Sequence, residues 1–267
     1  MSAVHSSPMD AIGPVANRLS RYCASIISQD IASYDAMYAR DVAGADVHYF
    51  AVGRSAIHLI AETMIAANKT TFASVLDCPC GAGRITRHLT AFFPDSQIFV
   101  SDLDQEGEAF AAKRFGATRF RAPSAFDVAP DQRFDLIFVG SLLTHFDEVM
   151  FLRALKWFVA ALEPEGILIT TTHGRRAQIL KRSPFISAPN GFSFVEMGRF
   201  CGTAYGSSLS FPSWLLKEVE NMPDVAIISF REAAWDDHQD VLSLQRRSLD
   251  YEYRLPVLSN EQSTDKK

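Results

Sequence analysis

Residues 75–89 read VLDCPCGAGRITRHL, and the reading of this stretch decides the fold. An apolar run ends in an aspartate, two cysteines flank a proline, and Gly81 and Gly83 stand one residue apart ahead of a helical period. Paired zinc ligands are usually separated by about two to four residues. Cys78 and Cys80 have only Pro79 between them, and no second Cys or His pair lies nearby, so no metal site is expected. A nicotinamide-dinucleotide turn, G-x-G-x-x-G, needs a third glycine where its helix packs on its strand. That position is Thr86 here. What is left is a strand, an acidic residue and a glycine turn that opens a helix.

The surrounding pattern fits such a unit. Short β-rich runs (FASVLDC, QIFVSD, FDLIFVG, GILITTT, VAIISFRE and a weaker TRFRA) alternate with helical periods, which is the mark of βαβ units and a parallel sheet. RITRHLTAFF puts Ile85, Leu89 and Phe92 on one helix face, EGEAFAAKRFG stops at Gly116, and DEVMFLRALKWFVAAL aligns Phe151, Leu155, Phe158 and Leu162. DVLSLQR follows VAIISFRE across AAWDDHQ, a gap too short for a crossover helix, so these two pair antiparallel. The predicted fold is α/β: a doubly wound, Rossmann-like sheet of seven strands with an antiparallel last strand.

Three further regions flank this sheet. Residues 1–70 are read as an N-terminal helical cap, with helical spacing over 11–27, 30–42 and, most strongly, 47–67, where Phe50, Ile57, Ile60, Ala61, Met64 and Ile65 share a face. The α/β domain is placed at 71–250 and a polar tail at 251–267. Within the domain, residues 174–210 mix glycines with Phe185, Phe192, Phe194, Phe200 and Tyr205 without clear periodicity. Long aperiodic connections of this kind often serve as functional covers, so the segment is predicted to be a lid, followed by a helix starting near Pro212 that carries Trp214 and Leu215.

Composition narrows the partners. With 48% hydrophobic and 21% charged residues the 267-residue chain has the material for a core, and a net charge of −5 argues against a nucleic-acid or anionic-membrane binder. No apolar run reaches the roughly 18 residues of a membrane span. The start MSAVHSSPMDAIG lacks a basic-then-apolar leader, and four cysteines do not make a disulfide framework, so a cytoplasmic location is expected.

The stretch LDCPCGAGR resembles motif I of the class I S-adenosylmethionine (SAM) dependent methyltransferases, carried here by Val75, Leu76, Asp77, Cys80, Gly81 and Gly83, with Pro79 where glycine is commoner. The resemblance spans about residues 70–246 and implies SAM as cofactor. Glycines let it approach the backbone, and the helix start offers N–H groups to its carboxylate. A carboxylate for the ribose diol is expected about 20 residues on, at the end of the next strand. Asp102, in QIFVSDLD and followed by Leu103, meets this requirement, although it also stands where it could cap the next helix. After the third strand the family often has Asp-Ala near the adenine; this chain has Ser124 and Ala125. Gly140 and Ser141 stand where the backbone passes the cofactor at the end of the fourth strand.

In open α/β sheets the ligand lies beyond the carboxyl ends of the strands. That rim gathers Asp77, Cys80, Asp102, residues 140–145, His173 and the turn at 235–240. A hydroxyl acceptor benefits from a general base, and histidine suits neutral pH, which makes His145, His173 and His238 the candidates. Each also has a structural role open to it, as a cap, a strand end or a turn bond. Tyr49 and Arg54 are placed to close over the cofactor. The Asp/Asn-Pro-Pro-aromatic motif of base-amino methyltransferases is replaced by Gly140, Ser141, Leu142 and Leu143, which favours a small or medium organic acceptor. LDCPCGAGR and WDDHQDVLSLQ look similar to segments of bacterial methyltransferases, some associated with glycan modification. The expectation is O-methylation of a sugar or glycan-related metabolite. N- or C-methylation in secondary metabolism, and a catalytically silent SAM-fold binding subunit, stay open.

Overall fold

The computed structural model describes residues 9–180, 190–200 and 203–247. The N-terminal part holds α1 (Met9–Ala24) and α2 (Ala45–Ala66). The sheet then begins, as β1 (Ser74–Asp77), α3 (Thr86–Phe92), β2 (Gln97–Val100), α4 (Gln105–Phe115) and β3 (Thr118–Arg119). It continues through β4 (Phe134–Val139), a 3-10 turn at Leu143–His145, α5 (Glu148–Ala160) and β5 (Leu162–His173). After α6 (Arg175–Leu180) come β6 (Phe192–Phe200), β7 (Thr203–Ser210), α7 (Pro212–Glu220), β8 (Val225–Trp235) and β9 (Gln239–Arg246).

The seven-stranded sheet has the order β3-β2-β1-β4-β5-β9-β8. β1 pairs in parallel with β2 and β4, and β4 with β5, while β9 runs antiparallel to both neighbours. The runs singled out by periodicity supply all seven strands. The sheet reverses direction of winding at β1 and β4, so the carboxyl ends of these two strands open a crevice.

Both faces are covered, as a mostly parallel sheet requires. Phe134, Ile137 and Val139 pack with Leu155 and Phe158 of α5 and with Trp214 and Leu215 of α7. On the other face Leu136, Phe138, Ile167 and Ile169 meet Ile57, Ile60 and Met64 of α2 and Leu89 and Phe92 of α3. Each such fully buried side chain contributes about 1.5–3 kcal/mol. Gly116 ends α4 in the left-handed conformation, φ 70°, as a C-terminal glycine does. Among the described residues no helix is long and apolar enough to cross a membrane.

Two expectations need correction. Residues 30–42 have helical spacing but form successive turns. Asp35 explains this: its Oδ1 accepts the Met37 N–H at 2.9 Å and its Oδ2 accepts the Tyr49 hydroxyl at 2.6 Å, so the side chain replaces helical bonds with local ones. The segment at 174–210 is not aperiodic either. Its described part contains α6 and then an antiparallel hairpin of β6 and β7 with a register shift between Glu196 and Gly198. Phe185, the first eight residues and the expected tail lie outside the described residues.

Candidate active site

The site is assembled around the turn after β1. Asp77 is fully buried, and Thr86 at the head of α3 donates its hydroxyl to Oδ2 at 2.7 Å, tying strand end to helix start. Its Oδ1 has no partner among the described residues. Burial pushes the Asp77 carboxyl up to about 7 against the opposing Thr86 bond. Burial also lifts the Cys78 and Cys80 thiols well above the usual thiol range, so both stay protonated and serve as packing groups rather than nucleophiles. The Cys78–Pro79 peptide is cis.

The two glycines do different work. Both have positive φ, 51° at Gly81 and 83° at Gly83. A Cβ on Gly81 would meet nothing within 4 Å, whereas one on Gly83 would lie 2.3 Å from the Phe115 ring of α4. Gly81 therefore leaves room for a ligand at the backbone, and Gly83 lets α4 pack closely.

Asp102 follows β2. Its Oδ2 accepts the Gly81 N–H at 2.7 Å and its Oδ1 the Asp104 N–H at 2.8 Å. Helix capping, the other role open to it, falls to Asp104, whose carboxylate accepts from the N–H groups of Glu106 and Gly107; such a cap contributes about 1 kcal/mol. Asp102 is thus free of α4 and clamps the glycine turn. Each of its oxygens keeps a second lone pair with which to receive a diol. Burial raises its pKa, with the two N–H bonds opposing.

These groups wall a cavity of about 370 Å³, within the range of about 300–1,000 Å³ typical of small-molecule sites. Cys80, Gly81, Asp102, Leu103, Ser124, Gly140 and Ser141 line it. Asp77 and Gly83 stand behind the wall as supports, and Ala125 is off it, with its carbonyl 3.4 Å from Arg153 Nη1. Ser141 holds a left-handed φ of 61°. Its N–H donates to Thr171 Oγ1 at 2.8 Å and its Oγ accepts from Gln239 Nε2 at 3.0 Å, while Thr171 donates to Gln239 Oε1. A Cβ on Gly140 would crowd Phe138 and Trp235, so only glycine lets the chain pass there.

Of the three histidines, the structure brings His145 to the cavity. Its Nδ1 is 2.9 Å from the Gly206 carbonyl oxygen, which can only accept, so the neutral ring donates from Nδ1. The Tyr205 ring stacks on it, with centroids 4.4 Å apart and planes 21° apart, and places its hydroxyl 3.5 Å from Nε2. His173 is buried with Nδ1 3.3 Å from the Ser208 carbonyl oxygen, and His238 sits in the β8–β9 turn with Nδ1 2.6 Å from that of Asp236. These two rings neighbour each other at 5.9 Å and line no part of the cavity.

Sequence reasoning missed several lining residues: Tyr34, Asp35 and Met37 from the turns before α2, Arg84 after the glycine turn, and Phe126 and Phe146, while Trp235, from the rim turn at 235–240, does line the cavity. Tyr49, expected over the cofactor, instead supports Asp35 from the core, and Arg54 is exposed away from the cavity. An aspartate two residues before an N–H it bonds was the available signal for the 34–37 turn.

Residues 75–166 match the family model described as a methyltransferase domain. No curated protein matches the chain in sequence. Among solved structures, an SAM-dependent methyltransferase from Clostridium acetobutylicum is 17% identical with a TM-score of 0.54, covering 80% of this chain and 96% of its own. The N-methyltransferase NodS from Bradyrhizobium japonicum, solved with S-adenosyl-L-homocysteine, is 13% identical with a TM-score of 0.51, covering 88% and 99%. An O-methyltransferase family protein from Burkholderia thailandensis is 16% identical with a TM-score of 0.52, covering 90% and 73%. The fold is that of the class I methyltransferases. The residues that match the methyltransferase domain model, about a third of the chain, lie at the centre of that fold.

Proposed function

We propose that this enzyme methylates a hydroxyl group of a small or medium organic acceptor, a sugar or glycan-related metabolite, with His145 as general base. The observation that carries this reading is the place of His145 at the cavity wall, with Nδ1 2.9 Å from the Gly206 carbonyl oxygen. The residues present fit SAM. Gly81 leaves open space at the backbone, Asp102 keeps lone pairs for the ribose, and Leu103 with Ala122, Pro123 and Phe126 provides the apolar slot for the adenine. When bound, SAM supplies a methyl group made electrophilic by its sulfonium.

The chain's own residues do the rest. Asp102 and the turn it clamps fix one reactant, and holding two reactants in line accounts for much of the rate effect in such displacements. His145 Nε2 takes the proton from the acceptor hydroxyl as its oxygen becomes nucleophilic, and the Gly206 carbonyl steadies the imidazolium. Phe146, Phe200 and Tyr205 exclude water and offer aromatic faces to the apolar side of a sugar ring. A cytoplasmic setting suits such an acceptor.

Calorimetric titration with SAM and S-adenosylhomocysteine tests the cofactor half. Wild type binds both at micromolar Kd, and Asp102→Ala, which frees the glycine turn and removes the ribose acceptor, weakens both by at least about tenfold, the worth of one charge-assisted bond. Folded wild type that binds neither overturns the reading.

A further inference from the structure

We infer that Arg84 is the carboxylate clamp of this cavity, its guanidinium receiving the methionyl carboxylate of the cofactor. The inference rests on the cofactor reading above. Among the described residues that line the cavity, Arg84 is the one Arg or Lys. It is half-buried, and among the described residues it has neither a hydrogen-bond partner nor an ion-pair partner; its only close neighbour of note is the Tyr49 ring, 5.9 Å from the guanidinium carbon.

Arg87, one helical turn on, shows the contrast. Its Nε donates to the Gly83 carbonyl oxygen at 3.1 Å, Nη1 to that of Ser28 at 2.9 Å and Nη2 to the Tyr49 hydroxyl at 3.3 Å, and it lies over the Phe50 and Phe115 rings. Arg87 is a satisfied structural cation; Arg84 is not. The carboxylates on the same wall are already engaged: Asp35 by Tyr49 and Met37, Asp102 by Gly81 and Asp104, and Asp104 by the start of α4. Burial lowers the Arg84 pKa, with the fields of Asp35, Asp236 and Asp77 among those opposing it.

A half-buried cation that faces a cavity without a protein partner is open to an anionic ligand, and a guanidinium fork matches a carboxylate bidentately. Position selects the ligand group. Asp102 with Ala122, Pro123 and Phe126 takes the adenosine end, so the cofactor's other end runs along the glycine turn, and Arg84 directly follows Gly83. The carboxylate is the only anionic group that end carries.

The test compares SAM with decarboxylated SAM, which keeps the adenosine, sulfonium and amine but lacks the carboxylate. Calorimetry on wild type, Arg84→Met and Arg84→Lys reads the difference. Wild type prefers SAM by about 10- to 100-fold, the range of a charge-assisted pair. Arg84→Met loses that preference while still binding decarboxylated SAM as wild type does, which also shows that it is folded. Arg84→Lys keeps part of the preference. Equal weakening of both ligands in Arg84→Met, or a SAM preference that survives in it, overturns the clamp and leaves the cofactor reading standing. Wild type that binds neither ligand removes both.

Discussion

The two ends of the cavity are built on different plans. The end read above as the cofactor's is centred on one contiguous stretch, residues 77–104, in which side-chain carboxylates hold backbone N–H groups: Asp102 holds Gly81, and Asp104 holds the start of α4. The acceptor end is collected from distant places, His145 after β4 and Phe200, Ala204 and Tyr205 from the β6–β7 hairpin, and it is joined by a ring stack and a carbonyl bond. On the function proposed above, the first plan fixes the cofactor. The second lets the acceptor pocket change by replacing one hairpin while the turn beneath stays the same.

If the ends are separate in this way, they separate in measurement. The largest effect is expected at the acceptor end. His145→Ala should lower turnover on a hydroxyl acceptor by about 10²- to 10⁴-fold, the usual worth of a general base, with the calorimetric SAM Kd unchanged. Loss of SAM binding along with turnover would break the comparison. Near-normal turnover on an amine acceptor would sharpen it toward N-methylation, since an amine needs no strong base.

Next comes the support behind the cofactor turn. The Asp77 carboxyl titrates near 7 in the fold against an ordinary value of 3.8, because burial disfavours its charge. A carboxyl raised in the fold leaves stability intact below pH about 4 and erodes it as pH climbs toward 7. By linkage the loss amounts to roughly 4 kcal/mol at most. Denaturant melts of ligand-free wild type across pH 4–8 should show this decline, and Asp77→Asn, which can still accept from Thr86, should flatten it. An unchanged slope in the variant would assign the decline to other groups.

The smallest effect belongs to the hairpin. Tyr205→Phe keeps the stack on His145 and removes the hydroxyl 3.5 Å from Nε2. A bond that long is worth little, so kcat/KM should fall by only about two- to fivefold, under about 1 kcal/mol. A fall comparable to that of His145→Ala would make Tyr205 part of the proton path.

Local signals carried the sheet and the cofactor end into view from sequence. Val75–Leu76–Asp77 ahead of two glycines, and Asp102 after the next strand, are short-range patterns whose geometry the backbone itself enforces. The places that misled are those where a side chain competes with the backbone or a contact is remote. Asp35 takes up the Met37 N–H and undoes the helical spacing of 30–42. The hairpin hides its alternation behind the register shift at Glu196 and Gly198, and Gly206 is there because the Phe194 ring would stand 2.4 Å from a Cβ, a pairing visible only once the strands are set side by side. Nothing near His145, His173 or His238 in sequence distinguishes them; the hairpin, packed against the 3-10 turn after β4 and against β5, does.

The brace beneath Ser141 has a consequence for how the enzyme matures on the ribosome. Gln239, in the reversed strand, locks Ser141 through Thr171, so this part of the cavity wall waits for nearly the whole described chain to emerge. The clamp on the glycine turn draws on residues no later than Asp104, but β1 beneath it pairs with β4 and the Cys78 N–H donates to the Phe138 carbonyl oxygen. Synthesis proceeds from the N-terminus and a domain folds as a unit, so the residues of the clamp emerge well before those of the brace, and the two become fixed together when the sheet closes.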